Sequence, residues 1–288
     1  MAVGREILTQ IRSVQSTQKI TRAMQMVSTS KMRKTQERMR AARPYADKVR
    51  TVMAHLAQAN SDLEHPLLAV RDVVKRAGIL LITTDKGLCG GLNINSLKVF
   101  YAKVQELAAQ GIEVDVCCVG SKGLMAAKRT KMNVISSVIH MGDTPQMDKL
   151  IGPLTTLFDK YAAGELDEIH VIYANFVSTM RQAAICQTLL PIDISQATKK
   201  ETHAWDYIYE PDATAIMSFL VRRYLESVVL QALSDNMASE QAARMIAMKS
   251  ATDNAGDAIK RMRLIYNKSR QAAITTELSE IVAGAAAV

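Results

Sequence analysis

The amino-acid sequence predicts an α/β domain inserted between two long terminal helices. At both ends of the 288-residue chain glycine and proline are rare, and small or apolar residues recur three or four positions apart. Between these ends, short β-branched runs alternate with helix-like stretches, the pattern of a largely parallel sheet. Aromatic residues make up only 5% of the chain and 16 residues are methionine, a composition that favours long helices over a bulky core.

Residues 1–58 are expected to form one long helix, and Pro44 marks the point where it could kink. Its stripe of apolar or small positions consists of Val3, Ile7, Ile11, Val14, Thr17, Ile20, Met24 and Val27. The segment carries 12 Lys and Arg side chains but only three Asp and Glu, in a chain whose net charge is +8. All the excess positive charge therefore belongs to this helix, which predicts an acidic partner.

Residues 210–288 are expected to form the C-terminal helix, with Pro211 in its first turn. Its heptad stripe of mostly small residues consists of Met248, Ala251, Ala255, Ala258, Met262, Ile265, Ser269, Ala272 and Thr276. Because small residues let a partner helix approach closely, we expect an antiparallel coiled coil with residues 1–58. The alternative is that both helices pack flat on the α/β domain, but that domain offers too little surface to cover them.

Residues 75–195 are expected to form a Rossmann-like α/β domain of about five strands. The strand-like runs are Ile79–Thr83, Val114–Val119, Val134–Ile139, Ile169–Tyr173 and Ala184–Leu189. Helix-like stretches at Asn95–Gln110 and Gln146–Ala163 separate several of these runs, which indicates parallel pairing. The polar stretch 196–205 is interpreted as the linker to the C-terminal helix.

The glycine-rich stretch TTDKGLCGGLN, residues 83–93, raises the question of a nucleotide site because it follows the first strand. Its glycines, Gly87, Gly90 and Gly91, match neither the spacing of a P-loop nor that of a dinucleotide-binding turn. A turn into a helix near Asn95 explains them without a ligand. We interpret GSKG, residues 120–123, in the same way, and we expect no cofactor.

No catalytic or metal-binding set is predicted. None of the five histidines stands at the spacing of metal ligands. The four cysteines form no CxxC pair, which argues against a zinc site or a disulfide framework and favours a reducing, cytosolic compartment. No stretch reaches the roughly 18 apolar residues that span a bilayer, and the first residues are too polar for a signal peptide.

The basic N-terminal helix leaves two classes of partner open. Nucleic acid would suit its charge, but the cations surround the helix and no stacking aromatics accompany them. An acidic protein surface suits the charge equally. At the other end, ELSEIVAGAAAV, residues 277–288, is interpreted either as a smooth apolar tip for a sliding contact or as a frayed terminus.

Four stretches, in order along the chain, resemble the gamma subunit of F-type ATP synthases. They are QSTQKITRAMQMVSTSKMRK (15–34), TTDKGLCGGLN (83–93), SEQAARMIAMKSATDNA (239–255) and ITTELSEIVAGAAA (274–287). The stretch WDYIYEPD (205–212) adds to the likeness, which runs over nearly the full length. The bacterial form is the closest in kind, because the dithiol insertion of chloroplast members has no counterpart here.

The resemblance implies a rotor shaft that itself holds no catalytic residue, cofactor or metal. In this family the coiled coil enters a hexamer of three alpha and three beta subunits, and the α/β domain lies near the membrane. Proton flow turns the ring of c subunits and gamma with it, which drives each beta site through different affinities for ADP and ATP. The implied partners are alpha, beta, epsilon and the c ring, at the cytoplasmic face of the bacterial inner membrane, with no membrane span and no nucleic acid.

The resemblance also implies contact residues. The residues expected to face acidic lever loops of beta are Met24, Lys19, Arg22, Lys31 and Arg33. The residues expected to hydrogen-bond with catch loops of alpha and beta are Arg244, Gln271, Thr275 and Glu277. The residues expected in the foot that touches the c ring and epsilon are Tyr207 and Glu210.

Two other function classes remain as alternatives on the residues alone. One is a basic coiled-coil protein that binds nucleic acid, which steeply salt-dependent DNA binding would favour. The other is a small-molecule enzyme on a Rossmann-like core, which nucleotide binding lost on Lys86→Ala would favour.

Overall fold

The structure is a computed structural model that describes residues 2–59, 65–69, 71, 73–144, 147–192 and 213–286. Its elements in chain order are α1 (Ala2–Ala59), β1 (Arg76–Ile82), α2 (Leu92–Ala109), β2 (Glu113–Val119), α3 (Ser121–Arg129), β3 (Asn133–Val138), α4 (Met147–Ala162), β4 (Glu168–Phe176), β5 (Gln182–Leu190) and α5 (Ala213–Ala286). The chain divides into two compact units, the first formed by residues 1–29 and 244–288 and the second by residues 30–243. Helices α1 and α5 each contribute one segment to each unit.

The second unit is built on a five-stranded sheet with the order β3-β2-β1-β4-β5. The central strand β1 pairs in parallel with β2 and β4, and β2 pairs in parallel with β3. Strand β5 runs antiparallel to β4 because only a short turn joins the two, whereas a parallel neighbour needs a long crossover. The prediction of an α/β domain with about five largely parallel strands is confirmed. The four parallel strands follow the order of doubly wound folds.

Helices cover both faces of this sheet. On one face, Phe100 and Leu107 of α2 and Ala127 of α3 pack against β1 and its neighbours. On the other face, α4 and the part of α5 that belongs to the second unit pack against Leu80 and Val171. Six of the seven residues of β1 are buried. Burial on both faces explains why this strand is a continuous apolar run instead of an alternating one.

A close approach of the backbone fixes the junction between β1 and α3. The Thr83 hydroxyl donates to the Val119 carbonyl at 3.2 Å and accepts from the Gly123 amide at 2.8 Å. Gly120 stands between them with φ +97, and a Cβ on it would lie 2.3 Å from the Thr83 carbonyl oxygen. The GSKG stretch is therefore a strand-to-helix turn in which glycine is required by both space and backbone angle.

In the first unit, the segments of α1 and α5 contact each other through polar groups. The hydroxyl oxygens of Thr21 and Thr252 lie 2.8 Å apart, and the Gln18 amide donates to the Thr252 carbonyl at 3.3 Å. A Cβ on Gly256 would lie 3.1 Å from the Gln18 amide nitrogen. Small residues on α5 thus admit a close helix–helix approach, and the hydrogen bonds satisfy the polar side chains between the helices.

The predicted contact stripe of α1 is wrong in its second half. From residue 5 to residue 29, the positions that are at least half-buried are Ile7, Leu8, Ile11, Val14, Gln15, Gln18, Thr21, Met24, Gln25 and Ser28. Thr17, Ile20 and Val27, which the apolar pattern favoured, are exposed. The cross-helix hydrogen bonds of Gln18 and Thr21 hold polar residues in the contact, so the apolar side chains beside them turn outward.

The stripe of α5 shifts in the same manner. From residue 248 on, the positions of α5 that are at least half-buried are Met248, Ala251, Thr252, Ala255, Gly256, Ala258, Ile259, Met262, Tyr266, Ser269 and Ala273. Ile265, Ala272 and Thr276 of the predicted stripe are exposed. Helix α1 continues through Pro44 without a break. The predicted start of the C-terminal helix at Pro211 lies outside the described residues, and so does the interpreted linker at 196–205.

His170 is a buried titratable group in β4, with 4% of its surface exposed. Its Nε2 lies 3.0 Å from a carboxylate oxygen of Glu168, and its Nδ1 lies 3.3 Å from the Thr188 hydroxyl. Burial lowers the pKa of His170, Lys103 lowers it further, and the carboxylates of Glu168 and Glu106 oppose the shift. The imidazole is therefore kept neutral in the folded chain.

We expect Gly120→Ala to lower the free energy of unfolding by about 2–4 kcal/mol, because it adds both a clash with Thr83 and an unfavourable backbone angle. Urea unfolding measures the change. Gly142→Ala is the matched control, since φ there is +78 but no atom lies within 4 Å of the added Cβ. If both variants lose the same free energy of unfolding, the clash with Thr83 does not contribute to the loss in Gly120→Ala.

We expect the folded chain to lose stability as the pH falls below about 6.5, because the unfolded chain then binds a proton that folded His170 resists. Titration of this one residue can change the free energy of unfolding by at most about 1.4 kcal/mol per pH unit. Urea midpoints at pH 7.5 and 5.5 measure it. His170→Gln should reduce the difference between the two midpoints, and His140→Gln, on an exposed histidine, should not. If the difference between the two midpoints is unchanged in His170→Gln, His170 is not the cause of the pH dependence.

Candidate partner-binding surface

The crevice in which doubly wound folds bind ligands is filled by helix α5. Such folds bind at the carboxyl ends of the strands, where the strand order reverses, which here is between β1 and β4. At this place the Asn236 side chain accepts a hydrogen bond from the Ala174 amide at 3.2 Å. The Ser239 hydroxyl donates to the Ala174 carbonyl at 2.9 Å. The polar backbone groups that a ligand would use are thus bound to the chain's own helix.

The glycine-rich loop after β1 directs its polar groups inward as well. Asn93 accepts from the Thr84 amide at 3.2 Å and donates to the Thr84 hydroxyl at 2.7 Å. Asp85 accepts from the backbone amides of Ser121 and Met141, each at 3.0 Å. The loop leads into α2 at Leu92, close to the predicted Asn95. These contacts support its interpretation as a structural turn.

The described residues include few groups suited to catalysis or metal binding. Burial raises the pKa of the Cys117 thiol to about 12 and that of Cys118 to about 11, so both are protonated at neutral pH and poor nucleophiles. Within the described ranges, His, Cys, Asp and Glu form no group of three or more that could hold a metal ion. No helix in the part of the chain that the structure covers is long and apolar enough to cross a membrane.

The α1 segment of the first unit presents both cations and apolar side chains outward. Lys19 and Arg22, two of the predicted contact residues, are exposed, and Met24 is half-buried. Ile20 and Val27 are 58% and 53% exposed. Exposed apolar side chains next to cations suit a protein-binding surface, which makes this face of α1 a candidate for one. The apolar pattern of the sequence had assigned both residues to the helix contact, so this surface was missed.

A groove of about 600 Å³ runs between the two helix segments of the first unit. Its lining residues are Gln18, Arg22, Gln25 and Met26 of α1, and Lys249, Thr252, Asp253, Gly256, Asp257 and Lys260 of α5. Charges of both signs face it. The groove therefore offers hydrogen-bonding and ion-pairing groups to a polar partner surface instead of an enclosed apolar pocket.

The last turns of α5 are uncovered. Every side chain from residue 274 to 285 is exposed, including the predicted contact residues Thr275 and Glu277, and Gln271 just before them is exposed too. Large apolar side chains stand among them: Ile274, Leu278, Ile281 and Val282. Arg244, in contrast, is only 8% exposed and begins the α5 segment of the first unit.

Two of the predicted cations contact acidic residues of this chain. Lys31 lies 2.7 Å from a carboxylate oxygen of Asp143, and Arg33 lies 3.3 Å from one of Glu37 on the next helical turn. The first pair could not be predicted from local sequence, because its partners are 112 residues apart. Tyr207 and Glu210 lie outside the described residues.

Comparison with known proteins places the chain in a family. The family model described as ATP synthase matches residues 4–288. ATP synthase gamma chains from Chromobacterium violaceum and Laribacter hongkongensis are 70% and 62% identical to this chain, and one from Neisseria meningitidis is 66% identical. Each comparison covers the whole of both chains.

Solved structures agree in fold. A chain from the central stalk and c-ring of the Tetrahymena thermophila mitochondrial ATP synthase is 26% identical, with a TM-score of 0.61 over 81% of this chain and 99% of that one. A chain from the rotor of the Euglena gracilis enzyme is 19% identical, with a TM-score of 0.67 over 95% of this chain and 99% of that one, and it supports the fold alone. On the family match and on full-length relatives at 62–70% identity, the chain belongs to the gamma chains of ATP synthase.

Proposed function

We propose that this chain is the non-catalytic shaft of the bacterial ATP synthase, which couples rotation of the membrane c ring to conformational cycling of the beta sites. The observation that carries the proposal is the uncovered end of α5, where all side chains from residue 274 to 285 are exposed and four of them are large and apolar. A surface of that kind needs surrounding protein. The filled crevice beside Ala174 argues against the enzyme alternative.

The shaft proper is an antiparallel coiled coil of α1 and α5. Gln18 contacts both Thr252 and Gly256, and Thr21 contacts Thr252. As the residue number rises along α1, that of the partner falls along α5, which supports an antiparallel pairing in the first unit. The polar contacts at Thr21 and Thr252 fix the register, a role that buried polar residues have in other coiled coils.

The partners follow from the charge and the exposed side chains. We propose that Lys19 and Arg22, with Met24 beside them, face acidic lever loops of beta. Arg244, Gln271, Thr275 and Glu277 contact catch loops of alpha and beta, and Tyr207 and Glu210 contact the c ring and epsilon. One copy serves three alpha and three beta subunits at the cytoplasmic face of the inner membrane.

The energetic requirement on such a shaft is differential contact. A rotor can drive a beta site from one affinity to another only if it binds the two conformations of that site with different free energy. The two sides of the first unit differ in the required way, because exposed apolar residues such as Ile20 flank α1, whereas charged residues line the groove toward α5. Each beta subunit thus meets a different surface as the shaft turns.

The coiled-coil pairing predicts a disulfide. In a Cys186→Ser background, which removes the exposed thiol, Thr21→Cys with Thr252→Cys should cross-link under mild oxidation, since the two hydroxyl oxygens lie 2.8 Å apart. Non-reducing gel electrophoresis measures the product. Ile20→Cys with Thr252→Cys is the matched control, because Ile20 points outward. Equal cross-linking in both pairs would refute the register.

The shaft function predicts a loss of coupling on charge reversal. Alpha and beta subunits purified with this chain, at three to three to one, should hydrolyse ATP cooperatively, and omitting the chain should abolish the cooperativity. Lys19→Glu with Arg22→Glu should reduce turnover about fivefold or more, the lower range of allosteric coupling, without changing thermal unfolding.

Lys98→Glu, on an exposed lysine of α2 in the second unit, is the control for added negative charge. Turnover in the double variant equal to that of Lys98→Glu would exclude an attraction between these cations and beta. Hydrolysis that is the same with and without the chain would exclude the shaft function itself.

A further inference from the structure

We infer that Asp143 is a positioning residue of the rotor, which clamps helix α1 to the loop between β3 and α4 so that this helix cannot slip when the rotor is loaded. This inference rests on the proposed shaft function. It concerns four residues that we call the α1 clamp: Lys31, Arg38, Asp143 and Thr144. All four belong to the second unit.

The α1 clamp has three bonds between two elements. The Lys31 ammonium donates to the Asp143 carboxylate at 2.7 Å. The Arg38 guanidinium donates to the Asp143 carbonyl at 3.3 Å and to the Thr144 hydroxyl at 3.1 Å. Lys31 and Arg38 are seven residues apart and therefore share one face of the helix. Thr35, between them on this face, is buried.

The loop that carries Asp143 is held in an unusual shape. His140 has φ +59 and Gly142 has φ +78, so the backbone is left-handed at two positions. Such a conformation at a non-glycine residue persists only where surrounding contacts enforce it. Here the Lys149 ammonium donates to the His140 carbonyl at 3.2 Å, and the neighbouring Met141 is buried. The loop therefore presents Asp143 from a fixed backbone.

Asp85 connects this loop to the interior of the α/β domain. One of its carboxylate oxygens accepts from the Met141 amide and the other accepts from the Ser121 amide at the start of α3. The Ser121 hydroxyl donates back to the Asp85 carbonyl at 2.7 Å. Polar bonds thus connect α1 to Asp143 and connect Met141 through Asp85 to α3, and the short backbone segment from Met141 to Asp143 joins the two sets.

Folding stability does not account for the α1 clamp. The Lys31 and Asp143 side chains are 36% and 60% exposed, and ion pairs at that exposure add little to the free energy of folding. Directional bonds at two points along one helix face do, however, resist sliding and rotation of that helix against the loop. A shaft that carries torque between its helices and its α/β domain needs such resistance.

The test uses the complete complex in inverted membrane vesicles from a strain that lacks its own gamma. Asp143→Asn keeps the shape of the side chain but removes its charge. We expect ATP hydrolysis and the thermal unfolding of the chain to be unchanged, while proton pumping per ATP hydrolysed falls about threefold. Lys31→Asp with Asp143→Lys should restore pumping. Asp159→Asn, on an exposed aspartate of α4, is the matched control.

Three results would overturn the inference. Pumping in Asp143→Asn equal to that in Asp159→Asn shows that the α1 clamp carries no load. A loss in Lys31→Gln without a loss in Asp143→Asn shows that Lys31 acts on a partner subunit. A lowered unfolding temperature or failed assembly in Asp143→Asn shows a structural role. In each case wild-type chain still restores pumping, whereas failure of the wild type to do so would refute the shaft function instead.

Discussion

The structure depends on the hydrogen bonds that helix α5 makes to the backbone at the end of strand β4. The pairing of β1 with β4 ends at Leu81 and Ile172, yet β4 continues to Phe176. Ala174, in this overhang, is buried, so polar backbone groups there need partners within the protein. Asn236 and Ser239 supply them. The same two bonds fasten α5 to the sheet and close the crevice, which turns a fold often used to bind nucleotides into a support for a helix.

The helix contact in the first unit obeys a second constraint. Its polar members, Gln18, Thr21 and Thr252, are tolerated between the helices because they bond to one another. That arrangement leaves Ile20 and Val27 on the outside of α1. The contact between the two helix segments is thus held by directional hydrogen bonds, and two large apolar side chains remain exposed on α1.

The α/β domain was predicted well from the sequence, because a strand that is buried on both faces has a continuous apolar sequence, as in β1. It failed where polar residues replaced apolar ones in a contact, since nothing local distinguishes buried Thr21 from exposed Thr17. It also could not foresee that Lys31 pairs with Asp143, because that contact depends on tertiary structure alone. The contact residues implied by family resemblance remain predictions. Among the described ones, several are exposed as a partner surface requires, whereas Arg244 is buried.

The uncovered end of α5 has a consequence for the life of the chain in the cell. Ile274, Leu278, Ile281 and Val282 form the kind of apolar surface that chaperones and proteases bind on unassembled subunits. A copy whose α5 end stays uncovered is therefore expected to be prone to aggregation or degradation. The amount of chain that a cell can hold unassembled is expected to be limited by this exposed apolar end.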